Sequence, residues 1–291
     1  MSLIVVTGLA AEARIATTAD EAMIVGAGRA ERLAADLEAA IVRGARRLLS
    51  FGVAGGLSPQ LQPGDLVVAH GVRDGRHNFS CDPEWREEMS RRLQWSPWRP
   101  RHAGDNAHGE QPAAAVLRFG DGGGWRPLLN AARRSSLADI AGAHAPVAEA
   151  SDKAALFETS GAIAVDMESV IVARAAQRHS LPFAILRVIA DPADQSLPRS
   201  ALTAMRADGE VNIGAVLGRL LRNPSEVSAL ARLAVDARKA FAALARARAI
   251  LGSDFASLDL EEIRPKRRAA ANSDFLPAMD EMEGCAASYC A

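Results

Sequence analysis

The chain has 291 residues, 49% of them hydrophobic and 24% charged, with 34 Lys and Arg against 35 Asp and Glu. That is enough for one large domain or two small ones with a buried core, and the even charge balance excludes the basic excess expected of a nucleic-acid binder. The three cysteines, Cys81, Cys285 and Cys290, are too few and too scattered for a disulfide framework or a cysteine-rich metal site, which points to the cytoplasm.

In chain order, Leu3–Val6 is an apolar run with no basic region before it and with Glu12 and Arg14 soon after, so it reads as a buried strand rather than a signal peptide or anchor. No stretch reaches the roughly 18 uninterrupted apolar residues of a spanning helix. Glu21–Val25 is a second strand, and Arg29–Arg43, rich in Ala and Leu at helical spacing, is a helix. Leu48–Gly52 is a strand running into a glycine-rich turn, and Asp65–Ala69 is another strand after Pro63-Gly64. The four tryptophans, Trp85, Trp95, Trp98 and Trp125, all lie in the next part of the chain. Pro97, Pro100 and Gly122-Gly123-Gly124 break the rhythm there, so residues 95–140 read as an inserted, partly mobile loop. Ile163–Val165 and Phe183–Ile189 are strands that bracket a helix over Met167–His179, which is stopped before Pro182. Strand alternating with helix predicts a layered α/β domain over residues 1–222. Residues 223–252 form an extension around an amphipathic helix, Ser225–Leu251, with Val227, Leu230, Leu233, Ala237, Phe241 and Leu244 near one face. The polar stretch 253–291 reads as a disordered tail.

Four pieces carry chemistry, each at a strand end or turn, where an α/β fold builds its site. Thr7-Gly8-Leu9-Ala10-Ala11-Glu12 delivers a carboxylate just after the first strand, although a Glu in a first helical turn is also an ordinary dipole partner. In Ser50-Phe51-Gly52-Val53-Ala54-Gly55-Gly56-Leu57 the glycines let backbone N–H groups approach a ligand. In Val165-Asp166-Met167-Glu168-Ser169, Asp166 reads as an N-cap, while Glu168 can accept from two neighbouring hydroxyls of a ribose diol. Asp191, at the end of the apolar strand in Arg187-Val188-Ile189-Ala190-Asp191-Pro192-Ala193-Asp194, gains a raised pKa if buried and can then donate a proton near neutral pH.

In this order and spacing the four pieces resemble the nucleoside phosphorylase and nucleosidase superfamily, above all its methylthioadenosine and adenosylhomocysteine nucleosidases. The resemblance runs to about residue 222. Leu181-Pro182-Phe183, Asp191-Pro192-Ala193-Asp194, Leu197-Pro198 and the helical extension look like the hopanoid-associated branch, whose members are held to remove adenine from adenosylhopane. The resemblance implies a three-layer αβα fold with a central mixed sheet and a homo-oligomer. It implies that Asp191 protonates the purine at N7, that Met167 and Glu168 hold the ribose, and that Glu12 orients the attacking water with Ser50 nearby. Gly52, Ala54 and Gly55 of the glycine-rich segment join the substrate contacts. Ser151-Asp152-Lys153-Ala154-Ala155 aligns with the family's purine-stacking segment but has Ala154 where the family has an aromatic. This leaves the purine contacts there mostly to backbone, at Lys153 and Ala154, or to Phe157 in place of the missing ring. No metal or organic cofactor is implied, and the nucleophile is water or phosphate.

Two other features set expectations. Val25-Gly26-Ala27-Gly28-Arg29 lacks the third glycine and the downstream acid of a dinucleotide-binding fingerprint. The basic residues of Ser225–Leu251, together with the tryptophans, suggest peripheral contact with a membrane holding a lipid-linked nucleoside.

Overall fold

The computed structural model describes residues 3–17, 22–26, 29–75, 77–94, 115–120, 123–128, 139–198, 201 and 226–257. One sheet contains the eleven described strands: β1 (Leu3–Thr7), β2 (Ala22–Val25), β3 (Arg47–Gly56), β4 (Leu66–Val68), β5 (Gly71–Asp74), β6 (His77–Ser80), β7 (Ala115–Phe119), β8 (Trp125–Pro127), β9 (Asp139–Gly142), β10 (Ala164–Asp166) and β11 (Phe183–Asp191). The helices are α1 (Ala10–Ala16), α2 (Ala30–Val42), α3 (Pro83–Gln94), α4 (Ala150–Ser160), α5 (Ser169–Arg178) and α6 (Val227–Leu251). The sheet is mixed: β3 runs parallel to β1 and β11, while β10 and β4 are antiparallel to their neighbours β3 and β11.

Alternation along the strands sorts the core into two layers. Ile4, Val6 and Leu48 face a cluster that holds Leu33 and Leu37 of α2 and Val172 and Ala176 of α5. Leu3, Val5, Leu49 and Phe51 face the other, with Trp85 and Met89 of α3 and Leu244 of α6. Each fully buried Leu or Phe stabilises the fold by roughly 1.5–3 kcal/mol over exposure. The α/β/α sandwich expected from the sequence is thus present.

Several elements depart from expectation. The glycine-rich segment is not a turn, because β3 continues to Gly56. The stretch taken as a loop holds β7, β8 and the start of β9. Trp85 and Trp125 are buried at 3% exposure, with Trp85 Nε1 donating to Phe255 O at 2.9 Å, so neither is free to cover an apolar ligand. Trp95 and Trp98 lie outside the described residues. Helix α6 packs on β11 and on α1 and α3 as part of one layer, and its buried stripe is Ala240, Ala243, Leu244, Ala247 and Leu251, with Val227 half exposed. Phe255 and Ala256, placed in the tail by the sequence, are fully buried. Part of the basic face of α6 is spent inside the molecule: Arg248 donates to Ala16 O, Arg246 lies over the Phe119 ring, and Lys239 pairs with Asp236. No described helix is long and apolar enough to cross a membrane.

Candidate functional site

The site forms where β3 changes partners along one edge. Its first half pairs with β1, ending at Val6↔Ser50, and its end pairs with β10 from Gly55↔Val165 onward. Between these registers the backbone has no strand beside it on that edge. Glu12 fills the gap, its Oε1 accepting from Val53 N at 2.7 Å. Its Oε2 accepts from Gly8 N at 2.7 Å and Leu9 N at 2.8 Å, as the third residue of a helix that reaches back to its own cap. Glu12 is 1% exposed; burial raises its pKa, and Arg187 and the three backbone donors only partly oppose that.

Arg187 is the residue that sequence reasoning passed over. It lies on β11 opposite Gly52, is 1% exposed, and pairs with Asp166, while Glu168 Oε2 is 3.6 Å from its Nη2. It also donates to Ser50 Oγ at 2.7 Å, and Ser169 Oγ donates to Ser50 Oγ at 3.0 Å. Ser50, expected near the nucleophile, is wholly buried, lines neither cavity and braces the guanidinium. Asp166 accepts from Ser169 N at 3.2 Å as the N-cap reading expects, and it is also the chief carboxylate partner of Arg187. Gly52 likewise lines neither cavity. A Cβ there would sit 2.6 Å from the Glu12 carboxyl and 2.7 Å from Arg187 Nη1, so the missing side chain is what lets acid and guanidinium meet across the strand.

Asp191 owes its direction to a β-bulge. The β3–β11 register runs evenly to Ile189↔Ala54 and then skips Ala190 to reach Asp191↔Gly55, and such an extra residue re-aims the side chain after it. Asp191 is 8% exposed; burial raises its pKa, while Lys153, with Nζ 2.5 Å from Oδ2, pulls it back down. Lys153 is 0% exposed and faces Asp191 rather than a ligand. Ala154 points to solvent from α4, and Phe157 packs against the cluster of Leu57, Ala141, Ala162 and Val165. None of these three lines either cavity of the site: α4 turns Lys153 toward Asp191 and Phe157 toward that cluster, and leaves Ala154 outside.

One cavity of about 180 Å³ gathers Glu12, Glu168 and Asp191 with Met167, Ala54 and Gly55, closed by Val147 and Leu197. A second, of about 260 Å³, shares Ala143, Met167 and Glu168 with it and extends over Leu33, Val170 and Ile171 to Arg29, Arg174 and Arg178. Glu168 stands between them, 8% exposed, its pKa pushed up to about 7 by burial and by Asp166 and Glu12, against Arg187. Arg14 is exposed and lines neither cavity. Among the described residues no group of His, Cys, Asp and Glu is arranged to hold a metal.

The raised carboxyl pKa values set a pH dependence. The folded chain keeps its proton on Glu168 up to about pH 7, whereas the unfolded chain releases it near the ordinary value of 4.5. Between those values the native state binds more protons, so stability falls as pH rises. We expect the unfolding free energy from urea titration to drop from pH 5 to pH 7.5 by on the order of 2 kcal/mol, the midpoint falling with it, and Glu168→Gln to flatten that slope. A midpoint that climbs over this interval in the unaltered chain contradicts the burial assigned to these acids.

No curated protein matches the chain by sequence. The family model of the Phosphorylase superfamily matches residues 3–222. Among solved structures, the 5′-methylthioadenosine/S-adenosylhomocysteine nucleosidase of S. pneumoniae, held with a transition-state inhibitor, aligns with a TM-score of 0.50 at 13% identity, over 87% of this chain and 100% of that one. The nucleosidase of the same name from Neisseria meningitidis, in complex with methylthio-immucillin-A, aligns with a TM-score of 0.50 at 15% identity, over 86% and 97%. At these identities the likeness is one of fold.

Proposed function

The chain belongs to the phosphorylase superfamily, and from that membership we propose that it cleaves the N-glycosidic bond of a purine nucleoside by hydrolysis. The observation that carries this reading is the gathering of Glu12, Glu168 and Asp191 around one cavity, from three distant parts of the chain. Asp191 gives its proton to purine N7 while the C1′–N9 bond breaks and its electron pair enters the ring. The sugar passes through an oxocarbenium-like state beside Glu168, whose carboxylate accepts from the 2′ and 3′ hydroxyls, with Met167 against the ribose. Water adds to C1′ and loses its proton toward Glu12. The anionic surroundings favour charge that grows only in the transition state.

Three carboxylates, Glu12, Asp166 and Glu168, surround the single guanidinium of Arg187, which is already committed to Asp166. Where these acids are ionised, which for Glu168 is above about pH 7, a phosphate dianion entering beside them meets repulsion, which favours water. The purine lies against Ala54, Gly55, Val147 and Leu197 rather than on an aromatic ring.

The 5′ group of the sugar then points past Glu168 into the second cavity. Its floor is Leu33, Ala34, Val170 and Ile171, and of its three arginines Arg174 and Arg178 are tied to Asp74 and Glu38, while Arg29 lines it together with Glu31. An apolar floor with a neutralised rim suits an aliphatic 5′ substituent and supports adenosylhopane as the substrate, met by a cytoplasmic homo-oligomer at the membrane surface. Incubation of the full chain with adenosylhopane, with and without phosphate, tests this. We expect adenine and a lipid-linked free ribose regardless of phosphate. A ribose 1-phosphate end reassigns the nucleophile, and adenine release from methylthioadenosine but not from adenosylhopane reassigns the 5′ group.

A further inference from the structure

Lys153 is a wholly buried cation that the reaction as written does not use. From the fourth position of α4 its Nζ donates to Asp191 Oδ2 at 2.5 Å, to Pro192 O at 3.0 Å and to Gln195 O at 2.8 Å. All three ammonium hydrogens are thereby spent on one short segment, and among the described residues Asp191 is its one carboxylate partner. The same loop is tied to the start of α4 by Leu197 N donating to Ala148 O at 2.8 Å and Ala150 N donating to Ser196 Oγ at 3.0 Å. Leu197 lines the cavity, so the ammonium anchors both the acid and a wall of the site.

We propose that Lys153 is a positioning residue for Asp191: it fixes the carboxyl and its loop from behind, and its charge receives the carboxylate left when Asp191 gives up its proton. The proposal rests on the hydrolytic reading above. In the step, the Oδ–H bond of Asp191 breaks, an N7–H bond forms, and the glycosidic electron pair enters the purine. The new anion appears beside an ammonium already in place, on a carboxyl that is 8% exposed, where such preorganised charge is worth most. A buried lysine without this partner is costly to keep charged, so the two groups depend on each other. The other charge felt at Asp191 is Asp236 of α6, itself paired with Lys239 at 2.9 Å, and it opposes the effect of Lys153.

Because Lys153 holds the pKa of Asp191 down against burial, removing its charge should raise that pKa. Purine release requires the protonated acid, so its alkaline limb should move to higher pH while the maximal rate falls for want of the countercharge. The test uses the full chain and three variants. Lys153→Gln keeps a donor for the loop carbonyls without charge, Lys153→Met keeps the bulk without charge, and Lys153→Arg keeps the charge. Carbon-13 NMR titration of aspartate carboxyls is read beside the pH profile of purine release. We expect the Asp191 titration and the alkaline limb to move up by about one pH unit or more in the two uncharged variants, with kcat lower by about 10–100-fold, a smaller change in KM, and both titrations near their original position in Lys153→Arg. An unmoved titration in whichever uncharged variant folds overturns the proposal, as does equal loss of rate in all three with no shift. The NMR reading needs no turnover, so a moved titration in a chain that releases no purine overturns the hydrolytic reading and leaves the pairing standing.

Discussion

Asp191→Asn should lower the rate of purine release by about 10²–10⁴-fold, the range a positioned general acid contributes. The amide keeps the shape of the carboxyl and can still accept from Lys153 through its oxygen, so the loop through Leu197 should hold and KM should change little. What is lost is a proton delivered to N7 as the glycosidic bond stretches. Single-turnover measurement of adenine release separates this from any change in product escape. A control lies in the leaving group: a nitrophenyl riboside departs without ring protonation, and its hydrolysis should be far less impaired by the same change. If both substrates suffer equally, Asp191 supports the site rather than acting on the purine. If neither does, the acid lies elsewhere.

The largest effect on stability should come from Arg187→Met. The side chain is 1% exposed and is the countercharge for Asp166, Glu168 and Glu12. Taking one partner from a buried ionic cluster leaves uncompensated charge and costs about 3–5 kcal/mol, a large share of the 5–15 kcal/mol that holds a typical domain folded. The remaining acids can escape by taking up protons, so the loss should shrink as pH falls from about 7 toward 5. Urea unfolding at both pH values measures it, and the double variant Arg187→Met/Glu168→Gln should recover part of the loss at neutral pH. A loss below about 1 kcal/mol at pH 7 would show that the guanidinium is dispensable to the cluster.

Much of this was legible because strand ends and the polar residues that follow them are local signals. Glu12, Glu168 and Asp191 were each found at the end of an apolar run, and the structure brings them to one cavity. Gly52 to Gly56 was misread because glycine signals a turn by default, whereas here its lack of a side chain serves a close approach inside a strand. Arg187 left a usable trace: an arginine in the middle of Phe-Ala-Ile-Leu-Arg-Val-Ile-Ala must be buried, and a buried charge must be paired. Which acids it pairs with depends on register between strands more than a hundred residues apart, and no local pattern encodes that. The inward turn of Lys153 was equally hidden, since α4 has only a weak apolar face and offers no periodicity from which to orient it. Helix α3 and strands β5 and β6 escaped notice for a related reason: they are short or polar, and tertiary contacts decide them.

The change of partner along β3 also constrains the order of assembly. β3 lies parallel to β11, with Leu48 against Phe183, and both strands must be in place before the β1 side and the β10 side are held at the right separation. Such long-range parallel pairing is slow to form, because the loop between must be closed before any contact repays it. A chain emerging from the ribosome therefore has no reaction chamber until the segment through Leu197 has been made and threaded beside β3. Until that moment the carboxylates are scattered on separate, solvated pieces, and the protein is chemically silent.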